Sequence, residues 1–585
     1  AGSGKTESLV GRVAQLVLHD HVPMRNIAAV TFTEKAGAEL RDRLRVRFEH
    51  HLRSRSAQEH GRAAEALADL DTAAIGTLHS FAQLILTTYP IEAGLPPLID
   101  VLDEVASSVA FDERWSVMQR ALLDSEELSG HLLLAMTAGL RLDQVRSLAR
   151  AFGSDWDLID DHVGQPVLHQ VTLPDLSWFT AEAARLAAVA DSCRKSDDNF
   201  LPKLHALGRW GERLAAAAGD EQLLAVLLEA SALRFGLGKG ANWADLTSLR
   251  ADCYELQAQA KRQADEIAEA TLRPLADWVA LQVRESARER ALKGRLEFHD
   301  LLVLARELLR RDRDVRAALQ QQFQRLLLDE LQDTDPIQIE LAVRIAGGAE
   351  AEAPDWRDVA IPAGSVFAVG DPKQSIYRFR RASIRTYLEA QQHVGETVRL
   401  TTNFRTVGPA LDWVNAVFGT LIQPAKSAQP RYEPLETHRT EGGVGPAVVV
   451  LGRTAHDDQP NAAVVREREA ADVAAVIHQA VEEEWTVTDS NGWRPVELGD
   501  IAILLPARTS LDLLEEALTT AGIAYRTESS SLVYQAREVR DLMAAARTLA
   551  DPTDLLSCVS ALRSALFGCG DDDLWTWKVS HGSFN

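Results

Sequence analysis

Two short runs in this 585-residue chain carry residues whose types and spacing suit phosphate chemistry. In GSGKT (residues 2–6), the small residues Gly2, Ser3 and Gly4 let backbone N–H groups approach a phosphate, and the helix that follows presents its positive end. Lys5 is placed to reach the β- and γ-phosphates of a nucleotide, and the Thr6 hydroxyl to coordinate Mg2+. Such a half-motif arises by chance often enough to decide nothing alone. The run LLLDELQDTD (326–335) changes that. Apolar residues ending in two carboxylates describe a buried strand that delivers acids to its carboxyl end, where ligand sites of α/β sheets lie. Asp329 would hold Mg2+ through water, and Glu330 would orient and deprotonate the attacking water. An acidic turn after a strand is common, but one paired with an upstream GKT is much less so. Together the two runs predict ATP hydrolysis.

These residues need elements to position them. Residues 6–20 place Leu9, Val13, Leu16 and Val17 on one helical face. IAAVTFT (27–33) reads as a buried strand, 33–52 as a helix, and AAIGTLHSF (73–81) repeats the change from strand to helix. This alternation predicts an α/β fold, a parallel sheet with helices on both faces. From about Pro97 to Gly294 strand-like runs nearly vanish among Ala, Leu, Arg and Glu, which predicts a large helical insertion. FQRLLLDELQD (323–333), SVFAVGD (365–371) and VRLTTNFRT (398–406) then resume the strand-and-turn rhythm. A second α/β unit is expected beyond. PAVVVLG (446–452) is a strand candidate and 466–484 a helix; 500–527 reads strand, helix, strand, and 537–554 is helical until its proline.

Composition narrows the function classes. The length predicts three or four domains, and 46% apolar with 25% charged residues is ordinary for globular protein. No run approaches the roughly 20 apolar residues of a membrane span, so a cytoplasmic protein with no membrane partner is expected. Cys193, Cys253, Cys558 and Cys569 form no C-x-x-C pair and read as ordinary thiols in a reducing compartment. The formal net charge of −23 does not exclude nucleic acid, because a binding groove needs only local positive potential. KQSIYRFRRASIR (373–385) interleaves aromatics with arginines, whereas RDRLRVR (41–47) reads equally well as a solvated helix face.

TFTEKAGAEL (31–40), IGTLHSFA (75–82), DELQDTDPIQ (329–338), VGDPKQSIYRFRRA (369–382) and TTNFRT (401–406) occur in this order. Motif by motif they resemble the UvrD/Rep/RecB group of superfamily-one DNA helicases, from residue 1 to at least 406. The resemblance implies a P-loop NTPase with RecA-like parallel-sheet lobes and a large helical insertion. It implies that Gln374 senses the γ-phosphate, that Arg405 stabilises charge on the transferring phosphoryl group, and that Phe404 stacks on adenine. The loop Gly2–Glu7 would frame ATP. Phe32, Tyr377 and Phe379 match aromatics on which bases stack; Thr31, Thr33, Thr77 and His79 match positions near the DNA backbone; Arg380 matches a residue coupling nucleotide to strand. The function implied is ATP-driven 3′-to-5′ translocation on single-stranded DNA, with helicase activity at duplex–single-strand junctions, in repair or recombination.

Glu7 after GKT and Arg381 within YRFRRASI stand where stand-alone UvrD-type enzymes usually carry arginine and glycine. With LEFHDLL (296–302) and LRSALFG (562–568) they point to the RecB/AddA-type branch, in which a partner helicase–nuclease subunit is expected. The expected domains are residues 1–96 and 295–397 as one lobe, 97–294 as its helical insertion, 398–550 as a second lobe, and 551–585 as the start of a second insertion. The chain opens inside its own phosphate loop, so truncation at both ends and weak ATPase activity of the isolated chain are expected. A noncatalytic DNA-binding scaffold is the competing reading. A transporter or signalling NTPase has no use for TFTEKA or YRFRRA.

Overall fold

The computed structural model describes residues 2–53, 57–159, 163, 175–426, 428–439, 443–452, 458, 460–489, 492–527 and 536–584, with the backbone alone for Ala57 and Arg380. The chain divides into two compact units, Ala1–Arg405 with Asn415–Glu436, and Thr406–Val414 with Thr437–Asn585.

The first unit is built on a four-stranded parallel sheet. Its strands are β1 (Ile27–Thr31), β2 (Ala74–Thr77), β5 (Arg325–Leu328) and β6 (Val366–Ala368), in the order β2-β1-β5-β6. β1 is buried along its whole length, which explains why its first four residues, IAAV, are continuously apolar rather than alternating. One face is covered by α1 (Lys5–Leu18), α2 (Glu34–His51) and α3 (Ala57–Asp69). Leu9, Val13, Leu16 and Val17 of α1 are all buried there, as their spacing predicts. The other face is covered by α4 (Leu78–Thr88) and by the helices Phe298–Arg311 and Pro336–Gly347.

The insertion is helical as expected. It is bounded by a two-stranded parallel pair, β3 (Asp100–Val101) with β4 (Arg295–Leu296), which closes its entry and exit against each other. Its longest element is the 48-residue helix Leu246–Lys293, with Pro274 inside it. Before Pro274 this helix contributes Leu249, Cys253, Leu256 and Ile267 to one core cluster; after it, Leu275, Val279 and Val283 enter another.

The second unit differs from what its sequence predicts. The helices Ala462–Glu482 and Arg537–Ala550 are present, as is Leu511–Thr520. The strand expected at 446–452 and the two expected at the ends of 500–527 are not: among the described residues no ladder forms along them. Val450, Leu451, Leu504 and Tyr525 are exposed instead. Apolar, β-branched runs record a capacity to sit in a sheet, and that capacity is realised only against neighbouring strands. The ordered strands here are the antiparallel pair β9 (Thr486–Asp489) and β10 (Gly492–Pro495). VRLTTNFRT contributes β7 (Thr402–Val407), paired with β8 (Glu436–Arg439). No helix among the described residues is long and apolar enough to cross a membrane.

Candidate functional site

The phosphate loop leads from its glycines straight into α1. Gly2 and Gly4 have φ of 74° and 81°, the left-handed region that non-glycine residues enter at a cost. A Cβ on Gly2 would lie 2.7 Å from the Cβ of Arg405, so the loop packs directly on the NFR segment. There Phe404 N donates to Gly2 O at 2.8 Å, and Arg405 N donates to the side chain of buried Asn403 at 2.9 Å. The half-exposed Phe404 ring lies beside Gly4. Ser3, Lys5 and Ser8 border a cavity of about 710 Å3 that reaches Lys373 and Tyr387.

Lys5 Nζ donates to Glu330 in an ion pair that joins α1 to the end of β5. Glu330 has φ 49°, a left-handed conformation that costs a non-glycine residue roughly 1–2 kcal/mol. This turn lets Glu330 leave the strand direction that Asp329 still follows. Asp329 is anchored by its own N–H to Val30 O at 2.9 Å, and its carboxylate accepts Glu330 N at 2.9 Å. Burial and the neighbouring Glu330 charge push the Asp329 carboxyl up. The same two causes push Asp333 up to about 6. Asp333 Oδ1 is buried with no hydrogen-bond partner among the described residues. Acidic oxygens therefore outnumber the cationic donors beside Lys5. Asp329 and the Thr6 hydroxyl are hard oxygen donors of the kind Mg2+ takes, and the surplus negative charge suits a divalent cation.

Gln332 connects these acids to the next motif, and sequence reasoning gave it no role. Its buried amide donates to Glu330 at 2.8 Å and to Asp333 at 3.0 Å, while its carbonyl accepts Asp371 N at 2.8 Å. Asp371 caps the short turn Pro372–Gln374 and accepts the Gln374 amide at 2.7 Å. Burial raises the Asp371 carboxyl, but Gln374 and Lys373 outweigh it and hold the group below its ordinary value. Gln332 escapes a sequence reading because its partner lies 39 residues away.

Beyond Gln374 the same segment carries the aromatics. Phe32 and Tyr377 have ring centroids 4.7 Å apart, and Tyr377 and Phe379 5.7 Å apart, giving a row of three rings. Phe379 is 78% exposed. His79 meets Phe298 edge to face at 5.8 Å. A cavity of about 530 Å3 lies against Phe32, Thr77, His79, Phe298 and Phe379.

Not every candidate faces this row. Thr31 is buried, and its hydroxyl donates to the carbonyls of Thr33 and Gly76. Thr33 and Thr77 are helix N-caps, accepting from Ala36 N and Ser80 N, so helix initiation alone explains their type. Glu7, grouped with the nucleotide loop by sequence, is exposed and pairs with Arg47 of α2 at 3.7 Å. The Arg380 side chain lies outside the described residues.

The family model described as the UvrD/REP helicase N-terminal domain matches residues 1–395. Curated relatives named as subunits of an ATP-dependent helicase/nuclease include those of Geobacillus kaustophilus (27% identical over 661 residues), Geobacillus thermodenitrificans (26% over 666) and Listeria monocytogenes serotype 4b (23% over 646). Each alignment covers 98–99% of this chain and 51% of the relative, so the chain spans about half the length of the curated relatives it matches. Their names are those of the helicase–nuclease branch.

Proposed function

Because the chain belongs to the UvrD/REP helicase family, we propose that it is the motor portion of an ATP-dependent DNA helicase that moves 3′ to 5′ on single-stranded DNA in repair or recombination. One observation carries the reading. A single segment, Asp371–Phe379, is bonded through Gln332 to the acids beside Lys5 and bears two of the three rings of the aromatic row.

In this reading ATP lies against Gly2–Thr6, with Lys5 leaving Glu330 to contact the β- and γ-phosphates. Glu330, freed of that ion pair, orients and deprotonates the attacking water. Thr6 and Asp329 would hold Mg2+, which when bound neutralises charge on the phosphate oxygens. Gln374 reports the γ-phosphate to the aromatic segment, Arg405 stabilises the transferring phosphoryl group, and Phe404 stacks on the adenine. Bases of a single strand stack on Phe32, Tyr377 and Phe379, each worth roughly 1–3 kcal/mol without regard to sequence. Thr33, Thr77, His79 and Arg380 line the strand's path, and buried Thr31 holds the end of β1 beneath it. Residues 1–96 and 295–397 form the lobe that carries this chemistry, 97–294 its insertion, and 398–550 the second lobe. Pairing with a helicase–nuclease partner and binding at duplex–single-strand junctions follow from the same reading.

The test is ATP hydrolysis by the full chain with and without single-stranded DNA, compared with Lys5→Ala and Glu330→Gln. Stimulation by DNA that both substitutions abolish is expected. No hydrolysis with or without DNA, with DNA binding intact, would favour the noncatalytic scaffold, and hydrolysis indifferent to DNA would overturn the motor reading.

A further inference from the structure

Arg381 follows the aromatic segment by two residues and has φ 66°, a left-handed conformation that costs an arginine roughly 1–2 kcal/mol. Its side chain accounts for that conformation. The guanidinium donates to both oxygens of Asp157, at 2.8 Å and 3.1 Å, and lies 3.3 Å from the Asp335 carboxylate and 3.5 Å from that of Asp155. Two parallel bonds of this kind give both strength and a fixed orientation.

Asp157 sits in the turn Trp156–Leu158 of the helical insertion, and its side chain is fully buried. It also accepts from His299 Nε2 at 2.9 Å and from Arg306 at 3.1 Å, both on the helix Phe298–Arg311. Burial raises its carboxyl, but His299 and Arg381 outweigh that and hold it far below the ordinary carboxylate range. The turn is pinned a second time by the Trp156 indole, which donates to Asp300 at 2.9 Å, while Arg290 grips Asp300 with two bonds of 2.7 Å. Asp335 in turn caps the helix Pro336–Gly347, which begins directly after DELQDTD. One side chain thus bonds the aromatic segment, the helix behind the acids, and the insertion.

We propose that Arg381 is a positioning residue that clamps the ring-bearing segment 376–381 to the helical insertion, so that the insertion sets the grip on single-stranded DNA. The partners of its guanidinium are Asp155, Asp157 and Asp335, none of them assigned to the nucleotide. The clamp therefore governs how tightly the strand is held rather than how fast bound ATP is split. This rests on the motor reading above.

The experiment replaces Arg381 in the full chain with Asn, which tolerates the left-handed conformation, and with Lys, which keeps the charge but loses the two-pronged bond. Arg381→Asn is expected to raise the DNA concentration for half-maximal ATPase stimulation about tenfold, with kcat at saturating DNA within about twofold of the parent. Arg381→Lys should lie between. Adding Asp157→Asn to Arg381→Asn should produce no further rise. Unchanged half-saturation in a folded Arg381→Asn variant, or a fall in kcat alone, overturns the clamp. If DNA stimulates neither parent nor variant, the motor reading fails, and amide hydrogen exchange over residues 376–381 decides the clamp separately. Faster exchange in Arg381→Asn upholds it, and unchanged exchange overturns it.

Discussion

Two clusters of charge lie on the same sheet unit and are built in opposite ways. Around Asp157, two arginines and a histidine converge on one buried carboxylate, which is held far below its ordinary range. Around Lys5, one ammonium faces Glu330, Asp329 and Asp333, and the last two are pushed up. The first cluster is satisfied from within the chain. In the second, a buried carboxylate oxygen has no partner among the described residues, and its acids repel one another. Charges that complete each other hold a fold together, whereas charges left in surplus are poised for something that arrives.

Substitutions can break or sharpen this contrast. The largest effect is expected from Asp157→Ala, which strands three converging donors. Removing one partner of a buried ion pair costs about 3–5 kcal/mol, read as a lower urea midpoint. Next is Lys5→Ala, which should cut ATP hydrolysis on the order of 10²–10³-fold while changing stability by less than about 1 kcal/mol, its pair with Glu330 being partly exposed. If Lys5→Ala proves the more destabilising of the two, the contrast is wrong. Phe379→Ala should weaken single-strand binding by about 1–3 kcal/mol in a fluorescence titration and leave thermal stability nearly unchanged, since the ring is exposed. Unaltered binding would return Phe379 to a bystander.

The subtlest test is the sign of the pH dependence. Asp157 has a depressed folded value, so its stabilising contribution is complete above the unfolded carboxylate range, near pH 4, and is lost as pH falls through that lower value. Asp333 is raised to about 6, so its contribution is complete below about pH 4 and is lost as pH rises through 6. Relative to the parent, Asp157→Asn should therefore look progressively less harmful on acidification. Asp333→Asn should become relatively more stable between pH 4 and 7. Equal slopes for the two variants in urea titrations would contradict the opposite shifts.

The sequence made the first unit legible because its signals are local. The period of α1, the continuous burial of β1 and the end of the long helix at its Gly294 cap can all be read from neighbouring residues. GSGKT and DELQD could be paired because each is compact. The role of Gln332 was hidden, since it depends on Asp371 across the sheet. Arg381 registered only as an odd residue in its motif, because Asp157 lies 224 positions away. Thr33 and Thr77 carry a double meaning that sequence cannot divide, since a threonine that caps a helix looks the same as one that meets a phosphate. In the second unit the apolar runs at 446–452 and at the start of 500–527 promised strands, but among the described residues partner strands do not form beside them.

The helix Leu246–Lys293 has one further consequence. At 48 residues it is about 72 Å long, and it enters the sheet unit through β4 just after Gly294. Packed along its length into two separate cores, it is one continuous rod running from those cores to its end at the sheet unit. A tilt of about 5° at that end carries the far tip through about 6 Å, nearly the spacing of two bases, so small adjustments beside the sheet become large displacements at the rim of the insertion.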